Sequence, residues 1–272
     1  ICLGIDLHFK ELPPFLEDIK NTTNIINAAE QYCRALIDVA TNKIPAIKFQ
    51  MAFFEAFGHE GFKLLEDMIA YSKSKQIISI LDAKRGDIAS TMEAYGTMAF
   101  DRMHADALTI SPYMGCDVIE PLIKWLQQGC GIYAVYLSSN PSGYKIQKTK
   151  VIDRDTVVAD LMIEPMIELL KQKNLSQSLG LVIGVNYFEE LPEIINKYTD
   201  YFSFLIPGIG AQGGSISTTL QSTVHANSPH LYTISRDLTG LGSTTLQEPL
   251  RKIRNIDEYC SFLERRIAIY NT

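Results

Sequence analysis

Residues 82–91, which read DAKRGDIAST, combine a lysine and two carboxylates at a spacing that suits catalysis. If ISILDAK forms a strand, the alternation of its side chains puts Asp82 and Lys84 on the same face. Asp87 comes where a helix is expected to begin, and Thr91 lies about one helical turn later. An ammonium group beside carboxylates at the end of a buried strand predicts a catalytic site.

Two structural interpretations of these charges stay open. In the first, Asp82 and Lys84 form a buried ion pair that only holds the end of the strand. In the second, Asp87 is the N-cap of the following helix, where its carboxylate accepts hydrogen bonds from free backbone N–H groups. Arg85 and Gly86 form the turn, and Gly86 permits backbone angles that other residues resist.

Further charges lie at the ends of two other predicted strands. Lys48 and Gln50 share one face of AIKFQ, and Asp6 ends the strand that contains GIDL. Burying one uncompensated charge costs on the order of several kcal/mol. Three strands that each bring a charge to the same level therefore indicate a functional site and not packing alone.

A glycine-rich segment and an arginine predict a phosphate site. The seventh predicted strand runs into PGIGAQGG, and the eighth ends in SRDL with Arg236. Glycine lets the backbone approach an anion closely, and an arginine can bind two phosphate oxygens at once. The loops after strands seven and eight of a (β/α)8 barrel are a recurrent phosphate site.

The elements that position these groups are hydrophobic runs, each followed by a stretch with helical periodicity. The predicted strands are residues 2–7, 46–50, 78–84, 107–112, 132–139, 181–186, 202–210 and 231–238. This alternation over 272 residues predicts an α/β fold, a (β/α)8 TIM barrel, as a single domain over residues 1–272. An open doubly wound sheet is the alternative, although no GxGxxG follows the first strand. Residues 140–155 are expected to form an irregular, mobile loop.

Composition limits the classes of partner. The chain is 46% hydrophobic and 21% charged, with a formal net charge of −6 and a pI near 5.4. Because its basic residues are dispersed, we expect neither nucleic acid nor a membrane as a partner. No apolar run reaches the roughly 18–20 residues of a membrane span, so a cytoplasmic protein is expected.

The cysteines and histidines predict neither a disulfide framework nor a metal site. The five cysteines are widely spaced and form no CxxC pair, which is typical of reduced thiols. The five histidines lack the HExxH spacing of a zinc site. We therefore expect no bound metal.

In chain order, the motifs GIDL, AIKFQ, DAKRGDIAST, LSSNPSG and PGIGAQGG resemble those of the orotidine 5'-phosphate decarboxylase family, in particular its bacterial-type branch with DAKRGDI. The resemblance implies a homodimeric, cofactor-independent enzyme that converts orotidine 5'-phosphate to uridine 5'-phosphate in de novo pyrimidine biosynthesis. The DxKxxD core is shared with sister decarboxylases that act on sugar phosphates, and the other motifs narrow the match.

The resemblance also implies the catalytic residues. Lys84 would donate a proton to carbon 6 of the pyrimidine. It would act in a network with Lys48, Asp82 and Asp87 of the partner subunit. Dimerisation would then be part of the chemistry.

The same resemblance implies the substrate contacts. Asp6 and Lys48 would bind ribose hydroxyls, and Asp87 and Thr91 would reach the ribose in the site of the other subunit. The remaining predicted contacts are Ser139 at the pyrimidine and Pro207, Gly208, Gly210, Gln212, Ser235 and Arg236 at the phosphate. Ser235 departs from the glycine that often precedes the phosphate arginine in this family, which leaves the local backbone geometry open.

Three other functions remain as alternatives. A metal-dependent sugar-phosphate decarboxylase or aldolase would need an acidic ligand at the end of strand two, where this chain has Lys48 and Gln50. A Schiff-base aldolase would use Lys84 or Lys48 as nucleophile, but a lysine between carboxylates is a poor one. A phosphate-binding protein on the same scaffold would bind a nucleotide without turnover.

Overall fold

Short strands form where the sequence has buried runs rich in Ile, Leu, Val and Phe. In the computed structural model they are β1 (Cys2–Ile5), β2 (Ala46–Gln50), β3 (Ile78–Arg85), β4 (Ala107–Ile110), β5 (Gly131–Leu137), β6 (Leu179–Ile183), β7 (Ser203–Pro207) and β8 (His230–Ile234). The structure describes residues 1–8, 13–22, 24–175, 178–209, 229–241, 243 and 246–270.

Helices alternate with the strands along the described chain. The α-helices are α1 (Pro14–Thr22), α2 (Ile25–Ala40), α3 (Met51–Glu55), α4 (Gly58–Ser74), α5 (Ala89–Gly96), α6 (Ile123–Leu126), α7 (Tyr144–Gln147), α8 (Val158–Lys173), α9 (Leu191–Tyr198), α10 (Arg236–Thr239), α11 (Gln247–Arg251) and α12 (Ile256–Tyr270). A π-helical segment continues α5, and short 3-10 segments follow β4 and β6; they are Thr97–Arg102, Pro112–Met114, Cys116–Leu122 and Val185–Tyr187.

Each strand lies beside the next one in sequence, and the ladder closes because β1 also pairs in parallel with β8. In that closing pair Cys2 is in register with Thr233, and Leu3 with Ile234. This order confirms the predicted (β/α)8 barrel. It excludes the open doubly wound sheet, whose edge strands would stay unpaired.

All the predicted strands are present, but several of them end earlier than the hydrophobic pattern suggested. The run predicted over residues 231–238 ends as a strand at Ile234, and α10 begins at Arg236. Residues 140–155 are less irregular than expected, because they contain α7 and an antiparallel bridge between Lys150 and Val157.

By its contacts the chain divides into two compact units, residues 1–82 with 233–272 and residues 83–232. The single domain over residues 1–272 stays a prediction. In the first unit, Asn24 caps α2 by accepting the Asn27 N–H at 2.7 Å. Tyr32 of α2 is fully buried and stacks on Tyr259 of α12, with 6.0 Å between ring centroids. These contacts hold α2 and α12 together.

In the second unit, a buried carboxylate links β5 with α8 and α9. Asp160 accepts hydrogen bonds from the hydroxyls of Tyr136 at 2.8 Å, Tyr198 at 2.6 Å and Thr156 at 3.0 Å. Burial raises the pKa of the Asp160 carboxyl, but these donors outweigh burial, so its pKa lies below the usual value. The charged carboxylate thus holds the start of α8 against β5 and α9.

Candidate active site

Lys48 and Asp82 form a buried ion pair at the carboxyl ends of β2 and β3. The Lys48 Nζ lies 2.7 Å from Asp82 Oδ2, and the side chains are 6% and 8% exposed. Burial lowers the pKa of Lys48, but the charges of Asp82 and Asp6 and the hydrogen bond to Asp82 raise it more. The pKa of Lys48 therefore lies above its usual value, and its ammonium form is favoured.

Asp6 is the third charge of this group. It directly follows β1, and its side chain is half-buried. Ile5 of β1 is in register with Phe49 of β2, so Asp6 follows at the same end of the strands as Lys48, and its charge contributes to the raised pKa of that lysine. The first unit thus brings together Asp6, Lys48 and Asp82, the charges predicted at the ends of three strands.

Lys84 lies in the same strand as Asp82, but its backbone is left-handed, with φ of +48°. This conformation costs an L-amino acid roughly 1–2 kcal/mol and interrupts the alternation of side chains along the strand. The Asp82 side chain is buried, whereas Lys84 is exposed. The regular alternation used to predict a common face therefore ends at Lys84, and the lysine lies where a ligand can reach it.

Hydrogen bonds from two backbone N–H groups to one side-chain hydroxyl join the end of β3 to β4. The Thr109 hydroxyl oxygen accepts the N–H groups of Ala83 at 3.0 Å and Lys84 at 2.9 Å. Thr109 is not among the site residues predicted from the sequence. Its only sign in the sequence is a polar residue within the apolar strand ALTI, and its role depends on which strand lies beside it.

Gly86 is required by a close approach of two backbones. A β-carbon at this position would lie 2.5 Å from the Ser111 carbonyl oxygen, and the Ser111 N–H donates to the Arg85 carbonyl at 2.7 Å. Gly86 is not among the left-handed glycines. The prediction that glycine is needed here for its unusual backbone angles is wrong. Glycine is needed because the backbone of Ser111 fills the space where a side chain would lie. Arg85 still belongs to β3 and not to the turn.

Asp87 and Thr91 lie at the start of α5. Asp87 is half-buried, and its Oδ1 accepts the Ile88 N–H at 2.7 Å. The N-cap of α5 is Ile88, so the interpretation of Asp87 as the N-cap is wrong. Thr91 is half-buried within the first turn of the helix. Both residues thus flank the turn that follows Lys84.

Ser139 follows β5 and is half-buried. The preceding residue, Ser138, is held by α7, because the Gln147 Oε1 in that helix accepts the Ser138 N–H at 3.0 Å. A β-carbon on Gly184 would lie 2.9 Å from the Ser139 nitrogen, so glycine there permits the close approach of two backbones. Gln147 was not predicted from the sequence either, because its spacing from Ser138 does not indicate this contact.

The predicted phosphate residues lie in the loops after β7 and β8. Pro207 is the last residue of β7, and Gly208 is left-handed, with φ of +109°. Arg236 does not end β8 as predicted. It is the first residue of α10 and half-buried, because the chain leaves the strand after Ile234. Gly210 and Gln212 lie outside the described residues.

Ser235 is accommodated by a glycine on the neighbouring strand. A β-carbon on Gly4 of β1 would overlap the Ser235 hydroxyl oxygen and would lie 3.2 Å from the Thr233 side chain. The serine that departs from the family pattern thus uses space that Gly4 leaves open. Its side chain is half-buried.

The described residues contain neither a candidate metal site nor a candidate membrane span. No group of three or more His, Cys, Asp or Glu side chains among them is arranged to hold a metal ion. No helix in the described part of the chain is long and apolar enough to cross a membrane.

Comparison with known proteins gives consistent matches. The model of the orotidine 5'-phosphate decarboxylase / HUMPS family matches residues 1–245. The orotidine 5'-phosphate decarboxylase of Roseiflexus sp. (strain RS-1) is 34% identical over 231 residues, which are 84% of this chain and 79% of the relative. That of Herpetosiphon aurantiacus is 33% identical over 254 residues, 93% of this chain and 89% of the relative.

Solved structures agree with these matches. The OMP decarboxylase of Leishmania donovani has a TM-score of 0.70 and 27% identity, covering 96% of this chain and 93% of its own. The UMP synthase of the same organism has a TM-score of 0.71 and 31% identity, covering 93% of this chain and 53% of its own. With a family model that matches most of its length, the chain belongs to the orotidine 5'-phosphate decarboxylase / HUMPS family.

Proposed function

We propose that this chain decarboxylates orotidine 5'-phosphate to uridine 5'-phosphate in de novo pyrimidine biosynthesis. The observation that carries the proposal is the buried Lys48–Asp82 pair, followed in the same strand by the exposed Lys84. Curated relatives that align with most of the chain have the name of this activity, which supports it further.

The chemistry suits a fixed ammonium group. Loss of carbon dioxide leaves the electron pair of the broken bond on carbon 6 of the pyrimidine, where no cofactor delocalises it. An enzyme must lower this barrier by roughly 20 kcal/mol, near the top of the known range. A charge held in place before the reaction contributes most to such a decrease, because it does not have to reorganise.

We assign that charge to Lys84. As the carbon–carbon bond breaks, its ammonium group stabilises the developing carbanion and then donates a proton to carbon 6, which leaves a neutral amine. No cofactor enters this sequence. Lys48 holds Asp82 in its buried position, and Asp82 lies next to the departing carboxylate. Asp6 and Lys48 bind ribose hydroxyls in this proposal.

The ends of β7 and β8 are proposed to bind the phosphate. A left-handed Gly208 lets backbone N–H groups face an anion, and the half-buried Arg236 supplies a cation that can donate two hydrogen bonds. We assign Pro207, Gly210, Gln212 and Ser235 to the same subsite. Ser139, after β5, is assigned to the pyrimidine.

A homodimer is proposed to complete each site with Asp87 and Thr91 of the other subunit. Exposed apolar side chains near this turn support it, since Ile88 is 65%, Tyr113 75% and Met114 56% exposed. They belong to the segments that follow β3 and β4, which are joined through Gly86 and Ser111. A second copy of the chain would cover them. A cytoplasmic location stays a prediction.

A spectroscopic assay of orotidine 5'-phosphate loss tests the function. The wild-type chain is expected to turn the substrate over, and Lys84→Ala is expected to be inactive although folded. Persistent activity in Lys84→Ala would contradict the assignment. Trapping of a substrate adduct with borohydride would instead indicate a Schiff-base aldolase, and nucleotide affinity without turnover would indicate a binding protein.

A further inference from the structure

We propose that Thr109 is a positioning residue for Lys84, an inference that rests on the proposed function. Thr109 lies in β4 and is only 1% exposed. Its hydroxyl oxygen accepts two successive backbone N–H groups, those of Ala83 and Lys84, at 3.0 and 2.9 Å. Both contacts lie within the second unit.

Two successive N–H groups do not meet one acceptor in a regular strand, because they point to opposite sides. They converge only where the backbone departs from the strand, as it does at the left-handed Lys84. A hydroxyl oxygen has two lone pairs and can accept both hydrogen bonds. The oxygen of Thr109 and the left-handed backbone of Lys84 therefore depend on each other.

The position of this backbone matters for the chemistry because it sets where the lysine side chain begins. Ser111, the residue that follows β4, holds the next residue of β3 because its N–H donates to the Arg85 carbonyl at 2.7 Å. The Lys84 side chain itself is exposed. A misplacement of a reacting group by about 1 Å can cost on the order of 100-fold in rate, so a loss of the Thr109 oxygen is expected to reduce turnover.

The test compares one substitution that removes the hydroxyl oxygen with one that keeps it. Thr109→Val keeps the branched shape but removes the acceptor, whereas Thr109→Ser keeps the acceptor. We expect Thr109→Val to lower kcat at least about tenfold with little change in KM, and Thr109→Ser to retain most of kcat.

Hydrogen exchange gives a readout that does not need activity. In Thr109→Val the amides of Ala83 and Lys84 are expected to exchange faster, while the amides of β5 keep their protection. Ser72→Ala is the matched control. Its hydroxyl is equally buried and donates to the Met68 carbonyl at 2.8 Å in α4, away from this turn. Ser72→Ala should lower stability without lowering kcat.

The outcomes separate the two proposals. If the wild-type chain does not decarboxylate the substrate, the proposed function is wrong. Independently of activity, unchanged exchange of the amides of Ala83 and Lys84 in Thr109→Val would show that the Thr109 contact does not hold this turn. If the wild-type chain is active but Thr109→Val keeps its kcat, Thr109 does not position the lysine. A Thr109→Ser variant as slow as Thr109→Val would contradict the proposal too.

Discussion

Asp82 is in register with Gln50, yet its Oδ2 lies 2.7 Å from the Nζ of Lys48, so the ion pair runs diagonally between β2 and β3. Removal of one member would leave the other charge buried without the ion pair that compensates it. We expect Lys48→Met to lower the free energy of unfolding by about 3–5 kcal/mol. Lys48→Met combined with Asp82→Leu should recover most of that loss but stay inactive. Urea unfolding measures both.

An exposed pair is the matched control. Lys63 and Asp67 approach to 2.6 Å, but their side chains are 65% and 48% exposed. Lys63→Met should change the free energy of unfolding much less than Lys48→Met does, because solvent screens an exposed ion pair. If the losses from Lys48→Met and Asp82→Leu simply add in the double variant, the two buried charges are not coupled.

Mixed dimers test the division of the site between subunits. Lys84→Ala and Asp87→Ala are each expected to be inactive alone. In a mixed dimer one site lacks both groups, whereas the other has an intact Lys84 and the intact Asp87 of the partner subunit. Random assortment makes half of the dimers mixed, so about one quarter of the wild-type activity should return. No recovery after subunit exchange, verified by mass spectrometry, would refute the shared site.

The phosphate subsite predicts a loss that depends on the phosphate itself. Arg236→Ala combined with Gln212→Ala should lower kcat/KM for orotidine 5'-phosphate by at least about 100-fold, since hydrogen bonds to charged groups contribute about 1.5–3 kcal/mol each. Orotidine, which lacks the phosphate, should be turned over equally by the variant and the wild type. Circular dichroism checks that the fold survives. An equal loss for both substrates would place these residues elsewhere in the mechanism.

His230 predicts a dependence of stability on pH. It lies at the start of β8 with its ring 5.3 Å from that of Phe204, and burial lowers its pKa below the usual value. The folded chain binds a proton at His230 more weakly than the unfolded chain does. This contribution to stability is complete above about pH 6.5 and is lost as the pH falls below it.

The substitution His230→Phe should make the free energy of unfolding less dependent on pH between about pH 7 and pH 5. Urea unfolding at several pH values measures this slope. His59→Phe is the control, since its helix position is exposed and the slope should stay as in the wild type. An unchanged slope in His230→Phe would contradict the prediction.

The Gln147 contact predicts an effect on substrate binding. Gln147→Met keeps the length of the side chain but removes the acceptor of the Ser138 N–H, and Gln147→Glu keeps an acceptor. Gln147→Met should raise KM several-fold, about the effect of one lost hydrogen bond. The increase should disappear in a Ser139→Ala background. A rise in KM that is equal in both backgrounds would separate Gln147 from Ser139.

The fold was predictable from the sequence because the barrel repeats one strand–helix pattern. AIKFQ forms β2 with the predicted ends, because a helix begins directly after Gln50. Other strand ends were less predictable. Arg236 begins a helix, and the hydrophobic pattern around it does not distinguish the start of a helix from the end of a strand.

In the candidate site, the charged residues were predictable from the sequence. The backbone conformation and the hydrogen bonds that position them were not. Lys48 and Asp82 stand out because charges are rare in buried strands. The left-handed backbone of Lys84 has no sequence sign, since lysine rarely adopts it. Thr109 and Gln147 act through backbone atoms of other segments, and such contacts depend on the arrangement of those segments in space.

The contact between Gly4 and Ser235 has a consequence for how the sequence can change. The two residues share a volume that holds one small side chain, because the serine hydroxyl lies where a β-carbon of residue 4 would be. Any residue larger than glycine at position 4 therefore requires the side chain at position 235 to move or to be lost. The two positions are expected to evolve as a pair, although they lie 231 positions apart in the chain.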